Sequence, residues 1–287
     1  MSDTNITNME ELKSICGIGK SVYSKLNEYV KSGKIKYIED AKMDPAMIFT
    51  RKIYGIGPKK AMDLVNTHKI LTIESLIQRQ NDVLNDKQKI GLKYYEDINK
   101  RIPRDEIKTY ETKLNIYFNQ VKNEKSEFKI VGSYRRGALE SGDIDIIVMD
   151  PQNDVNVFHK YLDLLIEKGI IIEVLSKGDV KSLCISKIRG KPARRIDFMF
   201  TPKKEYAFAE LYFTGNKNFN TVMRAKALTL GYSMNEHGLY KMENGVKTTK
   251  LSKYFPTEKD VFKFLGLVYK SPKERTGANA IEHTERT

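Results

Sequence analysis

Two short apolar segments in the middle of the chain, residues 144–148 and 194–200, give the clearest strand patterns in the sequence. Isoleucine and valine fill most of the first, and isoleucine, phenylalanine and methionine fill most of the second, which is typical of buried strands. Successive side chains of a strand point to opposite faces of the sheet. We therefore expect Asp143 and Asp145 to share one face, and Asp197 in the second segment is the best candidate for a third carboxylate on a neighbouring strand.

Helical patterns surround these strands. One of them, over residues 106–121, places four large apolar side chains on one face, so we expect this helix to pack behind the sheet. The four are Leu114, Tyr117, Phe118 and Val121. Further helices are predicted over residues 74–100, 207–211 and 219–230. The pattern favours an α+β fold, with a helical N-terminal region, a mixed sheet with helices and a small α+β C-terminal subdomain.

A repeat in the N-terminal third places a Gly-Ile-Gly motif, within residues 15–21 and 53–59, before each of two helical patterns. Glycines in such a turn let a phosphate approach the backbone N–H groups at the start of the next helix. The repeat therefore predicts two helix-hairpin-helix motifs that bind DNA, and the alternative is a pair of ordinary helix-helix turns. The glycines concerned are Gly17, Gly19, Gly55 and Gly57.

The formal net charge is +13 and the pI is about 9.4, which favours a polyanionic partner over a merely lysine-rich protein. Cys16 and Cys184 lie far apart and fit neither a disulfide framework nor a zinc site. The N-terminus is polar, and no apolar run reaches membrane-spanning length. We expect a soluble, intracellular protein, nuclear in a eukaryote and cytoplasmic in a prokaryote or a virus.

Residues 132–148 combine a glycine turn, the arginines Arg135 and Arg136, and the carboxylates Asp143 and Asp145. Guanidinium groups bind phosphate, whereas adjacent carboxylates repel one another unless cations neutralise them. Oxygen ligands suit Mg²⁺ or Mn²⁺, with substrate phosphates completing the coordination. This segment therefore indicates a site for a nucleotide and its metal ions.

Four segments in a fixed order carry a resemblance to a known family. They are the 132–148 block, the strand with Asp197, the Tyr-Phe-Thr-Gly motif at 212–215 followed by Asn220 and Arg224, and the Gly-Tyr-Ser-Met-Asn-Glu motif at 231–236. With the glycine repeats, they resemble the family X DNA polymerases of the beta type over about residues 10–275. Residues 132–148 alone resemble the wider nucleotidyltransferase superfamily. The 212–215 motif restricts the resemblance to the family X DNA polymerases.

The resemblance implies a repair DNA polymerase that fills short gaps by transferring dNMP from a dNTP to a primer 3′-hydroxyl. The implied partners are the dNTP and gapped or nicked duplex DNA, bound by a monomer that works beside a repair ligase or nuclease. The resemblance implies two DNA-binding regions, a truncated lyase-type helix-hairpin-helix domain (1–40) and a second helix-hairpin-helix subdomain (41–103). A catalytic nucleotidyltransferase palm (104–203) and a nucleotide-selecting C-terminal subdomain (204–275) would follow, and then a disordered polar tail (276–287).

The resemblance also assigns roles to single residues. Two divalent ions, Mg²⁺ with Mn²⁺ as the alternative, would be held by Asp143, Asp145 and Asp197, and a monovalent cation would bind at the hairpins. Nucleotide contacts would come from Arg101, Ser133, Arg136, Gly142, Tyr212, Phe213, Gly215, Asn220 and Arg224. DNA contacts would come from the four hairpin glycines and from Lys177, Lys181 and Arg195. Arg135 and Arg195 would either order the aspartates or bind the primer backbone, and a purely structural role is a further alternative for Arg135.

Three positions depart from the family pattern. Lys217 stands where relatives place an acidic residue beside the incoming base, and His237 replaces a tyrosine. Met199 replaces an arginine, so the family's ion pair with Glu236, which takes part in switching between open and closed states, cannot form. We therefore expect an enzyme that discriminates less well against mismatches.

A second activity, 5′-deoxyribose phosphate lyase, depends on Lys25. This residue aligns with the lysine that forms a Schiff base in the family. The segment before Gly17 is shorter than in the family, and two further lysines expected nearby are Ser21 and Tyr37 here. Lyase activity is therefore an open prediction, and a solvated lysine is the alternative.

Two other functions fit parts of the pattern. A template-independent nucleotidyltransferase would share the carboxylates, but the second hairpin together with Asn220 and Arg224 favours a template. A non-catalytic DNA-binding scaffold would have no need for three clustered carboxylates, so Asp143, Asp145 and Asp197 argue against it.

Overall fold

The computed structural model describes residues 20–36, 48–49, 52–277 and 280–284. The chain divides into two compact units, Met1–Lys93 and Tyr94–Thr287. Within the described residues, no helix combines the length and the apolar character needed to cross a membrane.

The first unit is helical where it is described. Its helices are α1 (Lys20–Ser32), α2 (Pro58–Asn66), α3 (Ile73–Val83) and α4 (Asp86–Lys93). The helix predicted over residues 74–100 is interrupted, because Leu84 is extended. A new helix begins after Asn85, whose side-chain oxygen accepts a hydrogen bond from the backbone N–H of Gln88 at 3.0 Å, as a helix-capping side chain does.

The second glycine motif forms the turn before α2. Gly55 has a φ of +86°, and Gly57 is the capping residue of α2. The turn is fastened to α4, because Gln88 Nε2 donates a hydrogen bond to the Gly55 carbonyl at 3.1 Å. Gly91 of α4 lies so close to Tyr54 that an added Cβ would be 2.0 Å from the Tyr54 carbonyl oxygen. Only glycine lets the helix and the turn approach this closely.

The second unit contains both helices and strands. In chain order its elements are α5 (Tyr95–Ile98), β1 (Ile102–Pro103), α6 (Arg104–Val121), β2 (Glu127–Ile130), α7 (Gly132–Arg135), β3 (Glu140–Ser141), β4 (Ile144–Asp150), α8 (Val155–Glu167), β5 (Ile171–Lys177), β6 (Lys181–Ser186), β7 (Arg194–Pro202), α9 (Tyr206–Thr214), α10 (Lys217–Thr229), β8 (Tyr232–Asn235), β9 (Gly238–Glu243), β10 (Val246–Lys250) and α11 (Glu258–Phe264). Five strands form the main sheet in the order β2-β4-β7-β6-β5, in which β4 and β7 are parallel and the other neighbours antiparallel. β1 pairs with β3, and a second sheet has the order β10-β9-β8.

One face of the five-stranded sheet carries the main hydrophobic core. Even-numbered residues of β4 and β7 enter it together with residues of α6 and α8. From the strands these are Ile144, Ile146, Val148, Ile196, Phe198 and Phe200. The apolar face predicted for α6 is confirmed, since Leu114 and Phe118 are buried in this core and Tyr117 and Val121 pack against it. Odd-numbered strand residues therefore point to the opposite face.

The remaining helices and the second sheet form the C-terminal subdomain. Residues of α9, α10, β8, β9 and α11 share a second core. Its aromatic centre includes Phe219, which stacks on Phe262, and Phe208, which meets Phe255 edge-on. A separate small cluster of Val131, Ile147 and Ala209 joins α9 to the five-stranded sheet. The predicted α+β fold is confirmed.

The chain end differs from the disordered tail that its polar composition predicts. Leu267 and His283 form an antiparallel bridge, and the backbone N–H of Val268 donates to the Glu282 carbonyl at 2.8 Å. Two apolar residues of the segment, Ala280 and Ile281, pack against the second core. The prediction of disorder is therefore wrong for residues 280–284, because two small anchors hold a polar segment in place.

Candidate active site

Three carboxylates meet on the sheet face opposite α6 and α8. Asp145 of β4 lies directly beside Asp197 of the parallel strand β7 in the strand register, and Asp143 precedes β4 by one residue. One oxygen atom from each carboxylate lies within 4.8 Å of one from each of the others. The structure thus brings together the three side chains that the strand pattern placed on one face.

The three carboxyl groups oppose one another's ionisation. Burial, and then the charges of Asp143 and Asp197, raise the pKa of Asp145 to about 7. Burial also raises the pKa of Asp197 to about 6, against the favourable charge of Arg195. That guanidinium lies 2.6 Å from Asp143 Oδ2 and 3.7 Å from Asp197 Oδ2. The positive charges of Arg195 and Lys181, which both lower the pKa values of this cluster, are fewer than the negative charges of three ionised carboxylates, so the cluster favours a further cation.

The donor set fits a hard divalent cation. Asp143, Asp145 and Asp197 offer oxygen atoms, which suit Mg²⁺, Mn²⁺ or Ca²⁺ better than softer metals. Their side chains keep partial exposure, 31% for Asp143 and 21% for Asp197, so water and a substrate oxygen can complete the coordination. These three residues would hold such an ion.

A tight turn lies directly against the carboxylates. Gly132, at the start of α7, has a φ of +60°, and a Cβ at this position would lie 2.4 Å from Asp145 Oδ2. The preceding residue, Val131, donates its backbone N–H to the Asp145 carbonyl at 2.8 Å. Ser133 follows and donates to Ser141 Oγ at 2.7 Å. Glycine is needed here both for the left-handed backbone and for the close approach of the carboxylate.

A cavity of about 610 Å³ opens beside this turn. All nine residues predicted to contact a nucleotide line it, together with two of the three carboxylates. The lining consists of Arg101, Gly132, Ser133, Arg136, Gly142, Asp143, Asp145, Tyr212, Phe213, Gly215, Asn216, Lys217, Asn220, Thr221 and Arg224. A volume in this range is typical of a small-molecule site.

The end of α9 shapes one wall of the cavity. The rings of Tyr212 and Phe213 meet edge-on, with centroids 5.0 Å apart. Asn220 Nδ2 donates to the Tyr212 carbonyl at 2.6 Å, and Arg136 donates to the Thr214 carbonyl. These bonds tie α9 to α10 and to the turn, so the residues around the cavity support one another.

Two lining residues, Asn216 and Thr221, were not singled out in the sequence. Asn216 caps α10, accepting a hydrogen bond from the Phe219 N–H at 2.9 Å. Thr221 lies four residues after Lys217 and three before Arg224, which places all three on one helix face. Helical periodicity from Arg224 was therefore the signal that could have identified Thr221.

Family models match most of the second unit and part of the first. The DNA polymerase beta palm matches residues 101–203, and the DNA polymerase beta thumb matches residues 209–276. The fingers domain of DNA polymerase lambda matches residues 48–99. The chain belongs to the family X DNA polymerases.

Relatives from distant organisms agree with this family. The chain is 33% identical to DNA polymerase lambda of Rattus norvegicus over 94% of its length and 49% of the relative's. It is 33% identical to DNA polymerase lambda of Arabidopsis thaliana over 95% of its length and 55% of the relative's. It is 25% identical to the DNA polymerase/3′-5′ exonuclease PolX of Bacillus subtilis over 98% of its length and 49% of the relative's. The chain thus spans about half the length of the curated relatives it matches.

The DNA contacts predicted outside the cavity have different surroundings in this family X chain. Lys177 Nζ pairs with Asp163 Oδ1 at 2.7 Å, and Lys181 is exposed at the start of β6. Arg195 faces Asp143 and Asp197, as expected for its alternative role of ordering the carboxylates. The hairpin glycines Gly17 and Gly19 lie outside the described residues, as does Cys16. DNA binding by any of these groups stays a prediction.

The three positions that depart from the family pattern lie at two cavities. Lys217 lines the large cavity, whereas Met199, Glu236 and His237 line a second cavity of about 250 Å³ between the palm sheet and α9. His237 Nδ1 lies 2.7 Å from Glu205 Oε2, and Lys250 Nζ lies 2.5 Å from Glu205 Oε1. Methionine carries no charge, so Met199 cannot form an ion pair with Glu236, and the effect on discrimination stays a prediction.

Lys25, the predicted lyase residue, lies half-buried in α1 of the first unit. The glycine motif that precedes α1 falls outside the described residues. The lyase prediction therefore stays open.

Proposed function

We propose that this chain is a template-directed DNA polymerase that fills short gaps in duplex DNA. In the proposed reaction a primer 3′-hydroxyl attacks the α-phosphate of a dNTP and pyrophosphate leaves. The observation that carries the proposal is the cavity of about 610 Å³ beside α7. It combines phosphate donors, two of the clustered carboxylates and a wall of aromatic side chains, which fit the phosphates, the metal ions and the sugar and base of a bound nucleotide.

The carboxylates support a metal-dependent reaction. Asp143, Asp145 and Asp197 would hold two divalent ions, and Mg²⁺ suits their oxygen donors. When bound, such ions lower the pKa of the attacking hydroxyl and neutralise charge on the phosphates. Arg195, which donates a hydrogen bond to Asp143 Oδ2 at 2.6 Å, would orient that carboxylate.

Residues of the turn would bind the triphosphate. Arg136 reaches the cavity with its position fixed by the Thr214 carbonyl, and Ser133 offers a hydroxyl from the same turn. Gly142 permits close backbone approach, with Arg101 Nη1 3.2 Å from the position that a Cβ would occupy. Guanidinium groups, a hydroxyl and backbone N–H groups are the donors that phosphate oxygens accept.

The opposite wall would test the sugar and the base pair. Tyr212, Phe213 and Gly215 form a close-packed edge in the cavity, which would reject a ribose 2′-hydroxyl by steric exclusion. Arg224 and Asn220 project from one face of α10. In the minor groove, acceptors occupy similar positions in every correct pair, so such donors test pair geometry rather than sequence.

The DNA would be bound by residues 48–99, which match the fingers domain. The Gly55 turn before α2 resembles a hairpin that presents backbone N–H groups to a phosphate, and the net charge of +13 favours a polyanion. The proposed substrate is gapped or nicked duplex DNA, bound by a monomer. This part of the proposal favours a templated reaction over the template-independent alternative.

Primer extension on a one-nucleotide-gapped duplex tests the proposed function. With Mg²⁺ and dNTP the chain should add one nucleotide, and Asp145→Asn should abolish the addition. Asp105→Asn is the matched control, because Asp105 is 89% exposed on α6 and does not line the cavity. The proposal is wrong if the wild type adds nothing, or if Asp145→Asn adds nucleotides as fast as the wild type.

A further inference from the structure

A buried carboxylate lies between two guanidinium groups behind the phosphate-binding turn. Glu258, the first residue of α11, is 4% exposed. Its Oε1 and Oε2 each accept a hydrogen bond from Arg135 at 2.9 Å. From the other side, Arg275 donates to the same oxygens at 2.7 and 3.1 Å. Both arginines therefore bind Glu258 through two parallel hydrogen bonds, the geometry that fixes orientation best.

Arg135 is also held from the α9 side. Its guanidinium donates to Thr214 Oγ1 at 2.7 Å and lies 3.1 Å from Glu210 Oε1. The next residue along the chain, Arg136, donates to the Thr214 carbonyl. Two adjacent arginines thus hold one buried threonine, one from behind the turn and one from the cavity.

Stability alone does not account for this network. Burial raises the pKa of Glu258, but the hydrogen bonds and charges of Arg275 and Arg135 outweigh it, and the pKa is lowered overall. Arg275 is fully buried and lies over the rings of Phe219 and Phe262. Packed apolar residues of similar volume stabilise a core as well as a buried ion pair does, or better. Directed hydrogen bonds add a fixed orientation, which apolar packing does not supply.

The orientation matters because of what lies on the other side of the turn. α7 has only four residues, so a displacement of Arg135 moves Ser133 and Arg136 with it. Both line the large cavity. We propose that Glu258 is a positioning residue for nucleotide binding, which fixes Arg135 and thereby presents Ser133 and Arg136 to the triphosphate. This inference rests on the proposed function of the cavity as a nucleotide site.

The test measures equilibrium binding of a non-hydrolysable dNTP analogue, with Mg²⁺, to the protein on gapped DNA. Glu258→Gln should weaken analogue binding about tenfold, within the usual range of coupling between linked sites, and should leave DNA affinity unchanged. Glu243→Gln is the matched control, since Glu243 is exposed on β9 and lines no part of the cavity. Equal analogue affinity of Glu258→Gln and wild type would overturn the proposal.

A double-mutant cycle separates positioning from loss of structure. If Glu258 acts through the turn, Arg136→Ala alone should weaken binding, and adding Glu258→Gln should weaken it little further. Independent, additive losses would contradict the proposal, because a merely structural role predicts no such coupling.

If Glu258→Gln does not fold, Thr214→Val tests the same positioning of Arg135. This change replaces only the hydroxyl that accepts from Arg135, and it should weaken analogue binding about fivefold, the effect of losing one ordinary hydrogen bond. Unchanged affinity would overturn the proposal. A wild type that binds the analogue but never extends a primer would refute the proposed function instead, and the positioning test would still stand.

Discussion

At the scale of single residues, strand alternation predicted the carboxylate pair, because the period of a strand is fixed. It also identified Asp197, which lies beside Asp145 in the register of β4 and β7. The positions of the three carboxylates relative to the large cavity are visible only in the folded structure. Asp143 and Asp145 line the large cavity, whereas Asp197 is not among its lining residues, which supports the proposal that Asp197 serves the attacking hydroxyl rather than the nucleotide.

Replacing Asp197 should therefore separate catalysis from binding. We expect Asp197→Ala to slow single-nucleotide incorporation by on the order of a thousandfold or more, while dNTP affinity changes only a few-fold. Single-turnover incorporation and analogue binding measure the two effects separately. Asp105→Ala is the surface control. A parallel loss of both quantities would place Asp197 in nucleotide binding instead.

The pKa values of the cluster predict how metal binding depends on pH. A carboxyl group must lose its proton to bind a metal ion, and the pKa is about 7 for Asp145 and about 6 for Asp197. Divalent-ion affinity should therefore rise between pH 5 and 7 and level off above, by up to tenfold per unit for each proton released. Mn²⁺ titration without DNA measures this, and a flat profile from pH 5 to 8 would contradict it.

The raised pKa values of Asp145 and Asp197 also determine how the stability of the metal-free fold depends on pH. Because folding raises both pKa values, the metal-free fold is favoured most below the ordinary carboxyl pKa and loses that contribution as pH rises through about 6 and 7. Divalent ions should restore stability at the upper end of this range.

Sequence alone could not predict the residues behind the turn. Glu258 and Arg135 are 123 positions apart, and no local pattern marks such a pair. Arg135 and Arg195 were left with alternative roles for the same reason. The partner of such a charged residue can be identified only from the fold, because the two residues lie in segments that are far apart in the sequence.

At the scale of elements, the four-residue helix α7 begins with the turn that contacts a carboxylate of the cluster. Gly132 combines a left-handed backbone with a contact to Asp145 that leaves no room for a Cβ. A substitution here changes both the backbone and the carboxylate. Gly190 offers a matched comparison, because its φ is +75° and an added Cβ would meet nothing within 4 Å.

We expect Gly190→Ala to lower the free energy of unfolding by about 1–2 kcal/mol from backbone strain, and Gly132→Ala to lower it by more, because its Cβ also meets Asp145. Only Gly132→Ala should also weaken Mn²⁺ binding and slow incorporation, since its Cβ displaces Asp145. Chemical denaturation and metal titration of both variants test this. Equal metal affinity in the two variants would show that the contact with Asp145 has no functional effect.

Elements with strong periodicity were predicted well, and their ends less so. The face of α6 was predicted correctly because four apolar residues repeat at helical spacing. The break between α3 and α4 was missed because it depends on Asn85, a capping residue inside a region that reads as helical. The ordered segment 280–284 was missed because its polar residues outnumber Ala280 and Ile281, which anchor it.

At the scale of the whole molecule, a net charge of +13 predicts that binding to DNA depends strongly on salt. Each phosphate neutralised by a lysine or arginine releases counterions. With about four such contacts, affinity should fall roughly a hundredfold between about 50 and 200 mM salt. Fluorescence anisotropy with a labelled gapped duplex measures the slope, and an affinity independent of salt would contradict an electrostatic DNA contact.

We propose that the cavity beside α7 selects a nucleotide according to the template base while it transfers that nucleotide. The most direct measurement is single-nucleotide incorporation on four one-nucleotide-gapped duplexes that differ only in the template base, each offered every dNTP in turn. We predict that the complementary dNTP is incorporated fastest on each template, by at least about tenfold. Incorporation rates that do not follow the template base would contradict the account and favour a template-independent transferase.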